Sequence, residues 1–153
     1  MEGDVVTVER VIPAPPEKIF ALLADASRHA VIDGSGSVRG PRSGTPQQLT
    51  LGSTFGMSMK VAVPYSMVNT VVEYEPNRRI AWEPRFMPRA FGRLEGGRIW
   101  RYELEPVEGG TRVRESWDIS HERLRPFLRK GKVVEQTRAN MEKTLEKIAA
   151  IVS

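Results

Sequence analysis

The last part of the chain constrains the fold most, because its hydrophobic period differs from that of everything before it. Over residues 132–152 the apolar side chains Val133, Val134, Met141, Leu145, Ile148 and Val152 recur three and four residues apart, with Thr137 and Thr144 on the same stripe. Glu135, Arg138, Glu142, Lys143, Glu146 and Lys147 take the opposite side. That spacing predicts one long amphipathic helix. Over residues 54–119 the apolar pattern instead alternates with period two and is broken by turn residues, as in an antiparallel sheet. A long helix laid across such a sheet gives a layered α+β domain with a concave interior.

At 153 residues the chain has the length of one domain, 1–153, and can bury about 70% of its unfolded surface without a metal or disulfide. It contains no cysteine, which excludes a disulfide scaffold, a thiol nucleophile and a cysteine zinc site. No apolar run approaches the length of a membrane span, so no transmembrane segment is expected. The opening Met1-Glu2-Gly3-Asp4 lacks the basic and apolar regions of a signal peptide, and the expected location is cytoplasmic.

The formal net charge of +4 comes mostly from arginine, clustered at Arg78-Arg79, at Arg85, Arg89 and Arg93, and at Arg123, Arg125, Arg129, Lys130 and Lys132. No zinc finger, recognition-helix pair or RNA-recognition signature accompanies these clusters, so no nucleic-acid partner is expected. They read as a solvated basic rim.

Along the chain, the β-branched run 5–12 is a first strand, and Pro13-Ala14-Pro15-Pro16 ends it. Residues 17–24 are a short helix whose first turn tolerates the prolines. A further turn is expected over 27–32. The stretch 33–48 is loop-like, with a short edge strand near 37–39. Strands follow at 53–63, 66–75, 79–84, 98–105 and 111–120. Pro64, Glu75-Pro76-Asn77 and Glu108-Gly109-Gly110 mark turns between them. Such short connections make an antiparallel meander. By strand parity Phe55, Met57, Met59, Val61 and Val63 share a face, as do Ile80 and Trp82, then Trp100, Tyr102 and Leu104, then Val113, Trp117 and Ile119. This large, aromatic, methionine-rich set is either a packed core or the lining of an apolar pocket.

The order of elements, with one strand, two short helices, a six-strand meander and a long C-terminal helix, resembles the START/polyketide-cyclase (SRPBCC) superfamily, and its polyketide cyclase/dehydrase-like members in particular. The local wording agrees at Pro15-Pro16-Glu17-Lys18-Ile19-Phe20, Leu51-Gly52-Ser53-Thr54-Phe55, Glu75-Pro76-Asn77-Arg78-Arg79-Ile80-Ala81-Trp82, Trp100-Arg101-Tyr102-Glu103-Leu104-Glu105-Pro106 and Gly109-Gly110-Thr111-Arg112-Val113. The resemblance implies the helix-grip fold, in which an antiparallel sheet, two short helices and a long C-terminal helix enclose a hydrophobic cavity. Such a cavity suits lipids, polyketides, sterols or aromatic compounds. No single activity follows from it, because this fold hosts carriers, sensors and some cyclases.

In such a meander the connections 62–65, 85–97 and 121–131 lie at one end of the sheet, and each carries apolar residues beside arginines. A greasy mouth with a basic rim would suit an amphipathic anion. Residues 85–97, longer than a hairpin needs, are expected to act as a lid. The ligand-binding candidates are Met57, Met59, Tyr65, Trp82, Phe86, Phe91, Trp100, Tyr102, Trp117 and Met141.

The run Gly34-Ser35-Gly36-Ser37-Val38-Arg39-Gly40 has the glycine content of a phosphate loop. It follows helix and precedes sheet, however, the reverse of a dinucleotide fingerprint. No cofactor is expected. Only His29 and His121 are available as histidines, so a histidine-rich metal site is excluded and no metal is expected. Either histidine is also a candidate general base. Glu115 shares the parity of Val113 and Trp117, so its carboxyl should point into the apolar interior, where desolvation raises its pKa. Glu115 and His121 are the catalytic candidates. Glu115 is equally readable as a structural acid bonded to Tyr102 or an arginine, and Asp33 is an alternative acid at the helix-to-sheet junction.

The primary expectation is therefore a protein that binds a hydrophobic or amphipathic small molecule, lipid- or polyketide-like, in an internal cavity. The alternatives are a polyketide cyclase, aromatase or dehydratase using proton transfer, and a protein-interaction module whose basic rim meets an acidic partner. Oligomeric state is left open by the sequence.

Overall fold

β-Branched residues dominate the first ordered segment and form strand β1 (Val5–Ile12), ended by the prolines that follow. The computed structural model of the protein describes residues 3–36, 38–41, 48–60, 64–86, 97–122 and 125–153. Helix α1 (Pro16–Leu23) opens with proline at its first position, where the missing N–H costs nothing. A 3₁₀ turn (Ala26–Arg28) and the single turn α2 (His29–Ile32) follow. Then come β2 (Val38–Pro41), β3 (Thr54–Lys60), β4 (Pro64–Glu75), β5 (Arg79–Phe86), β6 (Ile99–Val107) and β7 (Gly110–Asp118). A short turn, α3 (Arg125–Leu128), which the sequence reading left as loop, precedes the closing helix α4 (Gly131–Val152).

All seven strands form one antiparallel sheet in the order β1-β7-β6-β5-β4-β3-β2, so the six-strand meander is closed at one edge by the first strand. This is the helix-grip α+β fold. Two turns fix the register. Asn77 takes the left-handed conformation (φ 62°) in the β4–β5 connection, and Glu108-Gly109 links β6 to β7 with Val107 opposite Gly110. A bulge at Val72 then keeps Tyr74 on the same face as Val71.

One face of the sheet is apolar and the other is ionic. On the inner face lie Val6, Val8, Phe55, Val71, Ile80, Tyr102, Leu104, Val113 and Trp117, packed with Ile19, Phe20, Leu22 and Leu23 of α1 and with the second half of α4. On α4 the buried stripe is Met141, Thr144, Leu145, Ile148, Ala149 and Val152. Val133, assigned to that stripe from its spacing, is instead 39% exposed, and no residue of 131–140 is buried. The helix is buried against the core through its C-terminal turns, while its first turns meet the core's margin through the half-buried Val134. Arg138 donates to the carbonyl of Thr7 (3.2 Å), covering part of the free edge of β1.

The outer face carries a cross-strand ladder in which Glu9, Arg114, Glu103 and Arg79 lie side by side on β1, β7, β6 and β5. Arg114 pairs with Glu9 (2.6 Å), and Arg79 with Glu103 (2.9 Å). Arg101 grips Glu73 with two nitrogens (2.6 and 2.9 Å) across the small, buried Ala81. The expectation of one solvated basic rim is therefore corrected. Arg78 and Arg79 sit at the end of the sheet away from Arg85, and Arg78, Arg79, Arg85, Arg125 and Arg129 are all ion-paired with carboxylates.

Candidate ligand-binding site

Antiparallel register sorts the inner face into rows. Trp82, Trp100 and Trp117 are direct cross-strand neighbours on β5, β6 and β7, with Val6 of β1 at the end of the row. They are the only tryptophans in the chain. The row behind it, farther from the end that carries the β5–β6 connection, reads Tyr74, Ile80, Tyr102, Glu115 and Val8. Trp117 is buried, while Trp82 and Trp100 are half-buried. Trp100 lies 6.1 Å from Trp117, and Trp82 lies 5.6 Å from Tyr102, between ring centroids.

The polar centre of this wall is Glu115, 2% exposed. The Tyr102 hydroxyl donates to its Oε1 at 2.9 Å. Its Oε2 is buried without a hydrogen-bond partner among the described residues. Burial pushes the Glu115 carboxyl up to about 8; the Tyr102 hydrogen bond works against that shift and the charge of Asp33 adds to it. The Tyr102 phenol is likewise pushed well up, first by burial and then by Glu115. At neutral pH the carboxyl is therefore mainly protonated. With Oε1 accepting the Tyr102 O–H, Oε2 is the carboxyl oxygen without a partner among the described residues.

The far side of the Trp82 ring is occupied by His29, which stacks on it at 4.8 Å and meets Phe55 edge-on at 5.3 Å. His29 is buried, and its Nε2 donates to the Leu23 carbonyl (2.8 Å), since a carbonyl can only accept. Nδ1 is then the lone-pair nitrogen. Burial lowers the His29 pKa, keeping the ring neutral. Asp33 is engaged by Ser35, whose N–H and hydroxyl both donate to its carboxylate (3.1 and 2.8 Å).

The remaining candidates divide. Met141 is buried on α4. Met57, Met59, Tyr65 and Phe86 lie on β3, β4 and β5, Met57 and Phe86 both opposite Met67 and Tyr65 opposite Met59. Their side chains are outside the described set. Phe91, with residues 87–96 of the expected lid, lies outside the described residues altogether. His121 is exposed, and the geometry does not bring it to Glu115. It belongs to the turn on which Gly97 rests: a Cβ at Gly97 (φ 92°) would overlap the His121 carbonyl, so only glycine fits there.

Sequence reasoning missed Asn69, buried on the inner face between Met67 and Val71 on the same parity, and the stacking of His29 on Trp82. Parity alone would have found Asn69. Among the described residues no group of three His, Asp or Glu side chains is placed to hold a metal ion. A groove of about 260 Å³ on the outer face is lined by Arg79, Glu103, Arg112 and Arg114, whose charges are paired with one another or with neighbouring acids.

The family profile described as Polyketide cyclase / dehydrase and lipid transport matches residues 4–153. The chain belongs to this family. Membership makes it a protein of a ligand-binding type, which agrees with an aromatic inner wall bearing one buried acid. An uncharacterized protein of Mycobacterium tuberculosis, Rv0088, is 35% identical over 109 residues, which is 70% of this chain and 44% of that protein. The chain thus matches less than half the length of that relative. Among solved structures, protein NE0264 from Nitrosomonas europaea superposes with a TM-score of 0.74 at 14% identity, covering 99% of this chain and 96% of its own. Protein CV1439 from Chromobacterium violaceum gives 0.72 at 18% identity over 97% and 96%. At these identities the likeness is one of fold. No helix among the described residues is long and apolar enough to cross a membrane.

Proposed function

We propose that this protein binds a hydrophobic or amphipathic small molecule, lipid- or polyketide-like, between the inner face of the sheet and the first turns of α4. The observation that carries this reading is Glu115, whose second carboxyl oxygen is buried and unpartnered among aromatic side chains. An orphaned buried polar atom costs about 1–3 kcal/mol. A glutamine or leucine would avoid ionisable chemistry there, so a carboxyl at this position makes sense if a ligand completes its hydrogen bonding. The half-buried Trp82 and Trp100 supply the apolar contact surface beside it. The same reading has the protein acting in the cytoplasm, as suits a chain with no cysteine to cross-link.

Native mass spectrometry of the freshly purified protein, followed by extraction and identification, tests this. The expected outcome is a non-covalent adduct whose extract contains a hydrophobic compound. An apo mass, with no adduct when candidate lipids and polyketide-like compounds are added, would refute it.

One observation favours catalysis as a second reading. A carboxyl near 8 is matched to proton delivery at neutral pH, and the neutral His29 across Trp82 offers the complementary lone pair. If the extracted compound is turned over, Glu115→Gln should remove turnover while binding survives. Turnover undiminished by that change would eliminate Glu115 as the acid.

A further inference from the structure

The interior is polarised in one direction, and this limits the ligand's functional group. Tyr102 has one proton and spends it on Glu115 Oε1 (2.9 Å). Across the strand pairs the neighbours of Glu115 are Tyr102 on one side and Val8 on the other, so neither strand offers a second donor to Oε2. The charged and titratable groups around it are accounted for element by element. On β6 there is Tyr102. After α2 there is Asp33, whose negative charge opposes ionisation of Glu115. On α4, Lys147 reaches this region but donates to the backbone carbonyl of Asp33 (2.9 Å), and Thr144 is engaged by the Gly34 N–H and the Asn140 carbonyl. On α2, His29 is neutral and separated by the Trp82 ring. Arg98, which shares the strand parity of Trp100 and Tyr102, is ion-paired with the buried Glu122 (3.0 Å), and Arg138 of α4 donates to the Thr7 carbonyl (3.2 Å), so the described cations on this side of the sheet are engaged away from Glu115. The outer-face arginines lie across the sheet with their own carboxylates.

We infer that Glu115 Oε2 carries the proton and donates it to an acceptor on the ligand, so that the protein selects a neutral, carbonyl-bearing hydrophobic molecule and disfavours a carboxylate. This rests on the proposed cavity and names what that cavity reads. A ketone, ester or lactone oxygen has lone pairs and no charge, so it completes the orphaned hydrogen bond without bringing an anion into an apolar wall that already holds Asp33 nearby. A carboxylate ligand would have to be stripped of water beside Glu115, with Arg98 and Arg138 on this side already engaged by Glu122 and the Thr7 carbonyl. The inference differs from the amphipathic anion expected from the sequence. It follows that raising pH removes the donor: once Glu115 ionises, Oε2 repels a carbonyl oxygen and the ligand is released.

The test uses three naphthalenes of nearly equal size, acetylnaphthalene, naphthoate and ethylnaphthalene, titrated into the whole protein. The quenching of Trp82, Trp100 and Trp117, which line the wall, is the readout. At neutral pH the ketone should bind about tenfold or more tighter than either other compound, the worth of one good hydrogen bond. Its affinity should be level below about pH 8 and fall tenfold per pH unit above it. Glu115→Gln puts an amide N–H, which cannot ionise, where the carboxyl proton was, and should flatten that pH profile. Glu115→Leu should reduce the ketone's advantage over ethylnaphthalene to about one. Equal binding of ketone and hydrocarbon, tighter binding of naphthoate, or a pH fall that persists in Glu115→Gln would overturn the inference while leaving the cavity standing. Failure of all three compounds to bind would overturn the cavity and the inference together.

Discussion

Tyr102 decides which oxygen of Glu115 is free, and its role can be separated from simple packing. The phenol and the carboxyl are direct cross-strand neighbours, and their hydrogen bond favours the ionised carboxyl against the burial that opposes it. Tyr102→Phe keeps the ring against Trp82 and deletes only the donor. The Glu115 carboxyl should then rise above about 8, so the pH at which acetylnaphthalene affinity begins to fall should move upward, with a stability loss of about 1 kcal/mol. A midpoint that stays in place, or moves down, would mean that the hydrogen bond is not what holds the carboxyl. This pair was legible in advance. A two-residue connection at Glu108-Gly109 sets Val107 against Gly110, and counting back along both strands brings Tyr102 opposite Glu115. The partnership of His29 with Trp82 was not, because nothing local links a one-turn helix to a strand fifty residues on.

Helix α4 is placed by a contact that the sequence disguised. The glycine-rich run beginning at Gly34, whose position after helix and before sheet argues against a phosphate loop, supplies a docking point at its first glycine. A Cβ on Gly34 would overlap the Asn140 carbonyl and crowd the Thr144 backbone, while the Gly34 N–H donates to the Thr144 hydroxyl (2.9 Å). Lys147 adds a hydrogen bond to the Asp33 carbonyl one residue earlier. These bonds set the helix against the junction after α2, close to Asp33, and so set the height of α4 above Glu115. Gly34→Ala should therefore push the helix away or unfold it locally. The expected cost is about 1–3 kcal/mol, typical of overpacking, read as a lower denaturant midpoint, with reduced hydrogen-exchange protection over 140–148. Unchanged midpoint and protection would show that the helix has slack at this point. The period of three and four gave α4 its boundaries to within a residue, but it assigned Val133 to the buried stripe. A helix whose first turns meet the core only at its margin, through Val134, keeps the same local pattern throughout, so the looser packing of those turns is a tertiary fact that spacing does not encode.

Over the whole molecule two buried groups, Glu115 and His29, work against each other as pH changes, and their balance is measurable. Glu115 has an ordinary value of 4.5 and a folded value of about 8. Between those limits the native state holds a proton that the unfolded chain has lost, so stability falls as pH rises, by up to about 1.4 kcal/mol per unit. His29 has the opposite sign. Its pKa is lowered from 6.5 by burial, so below 6.5 the unfolded chain takes up a proton that the native ring refuses, and stability falls as pH drops. Below 6.5, while the native ring still refuses its proton, the two slopes oppose and flatten the profile; from 6.5 to about 8 the Glu115 slope remains and stability declines. Glu73 on the outer face does not disturb this window, since its hydrogen bond to Arg101 holds its carboxyl below the ordinary value. Denaturant melts at intervals of half a pH unit should show the decline in the wild type and none in Glu115→Gln, which should be the more stable protein at pH 8. A wild type that is level from 6.5 to 8 would mean that Glu115 is ionised in the native state. Its unpartnered oxygen would then call for a donor or a cation in the ligand instead of a carbonyl. Saturating acetylnaphthalene supplies the converse check: by binding only the protonated form it raises the native carboxyl's pKa further, so the wild-type decline should start from a higher stability and continue to higher pH, while the variant's profile stays level.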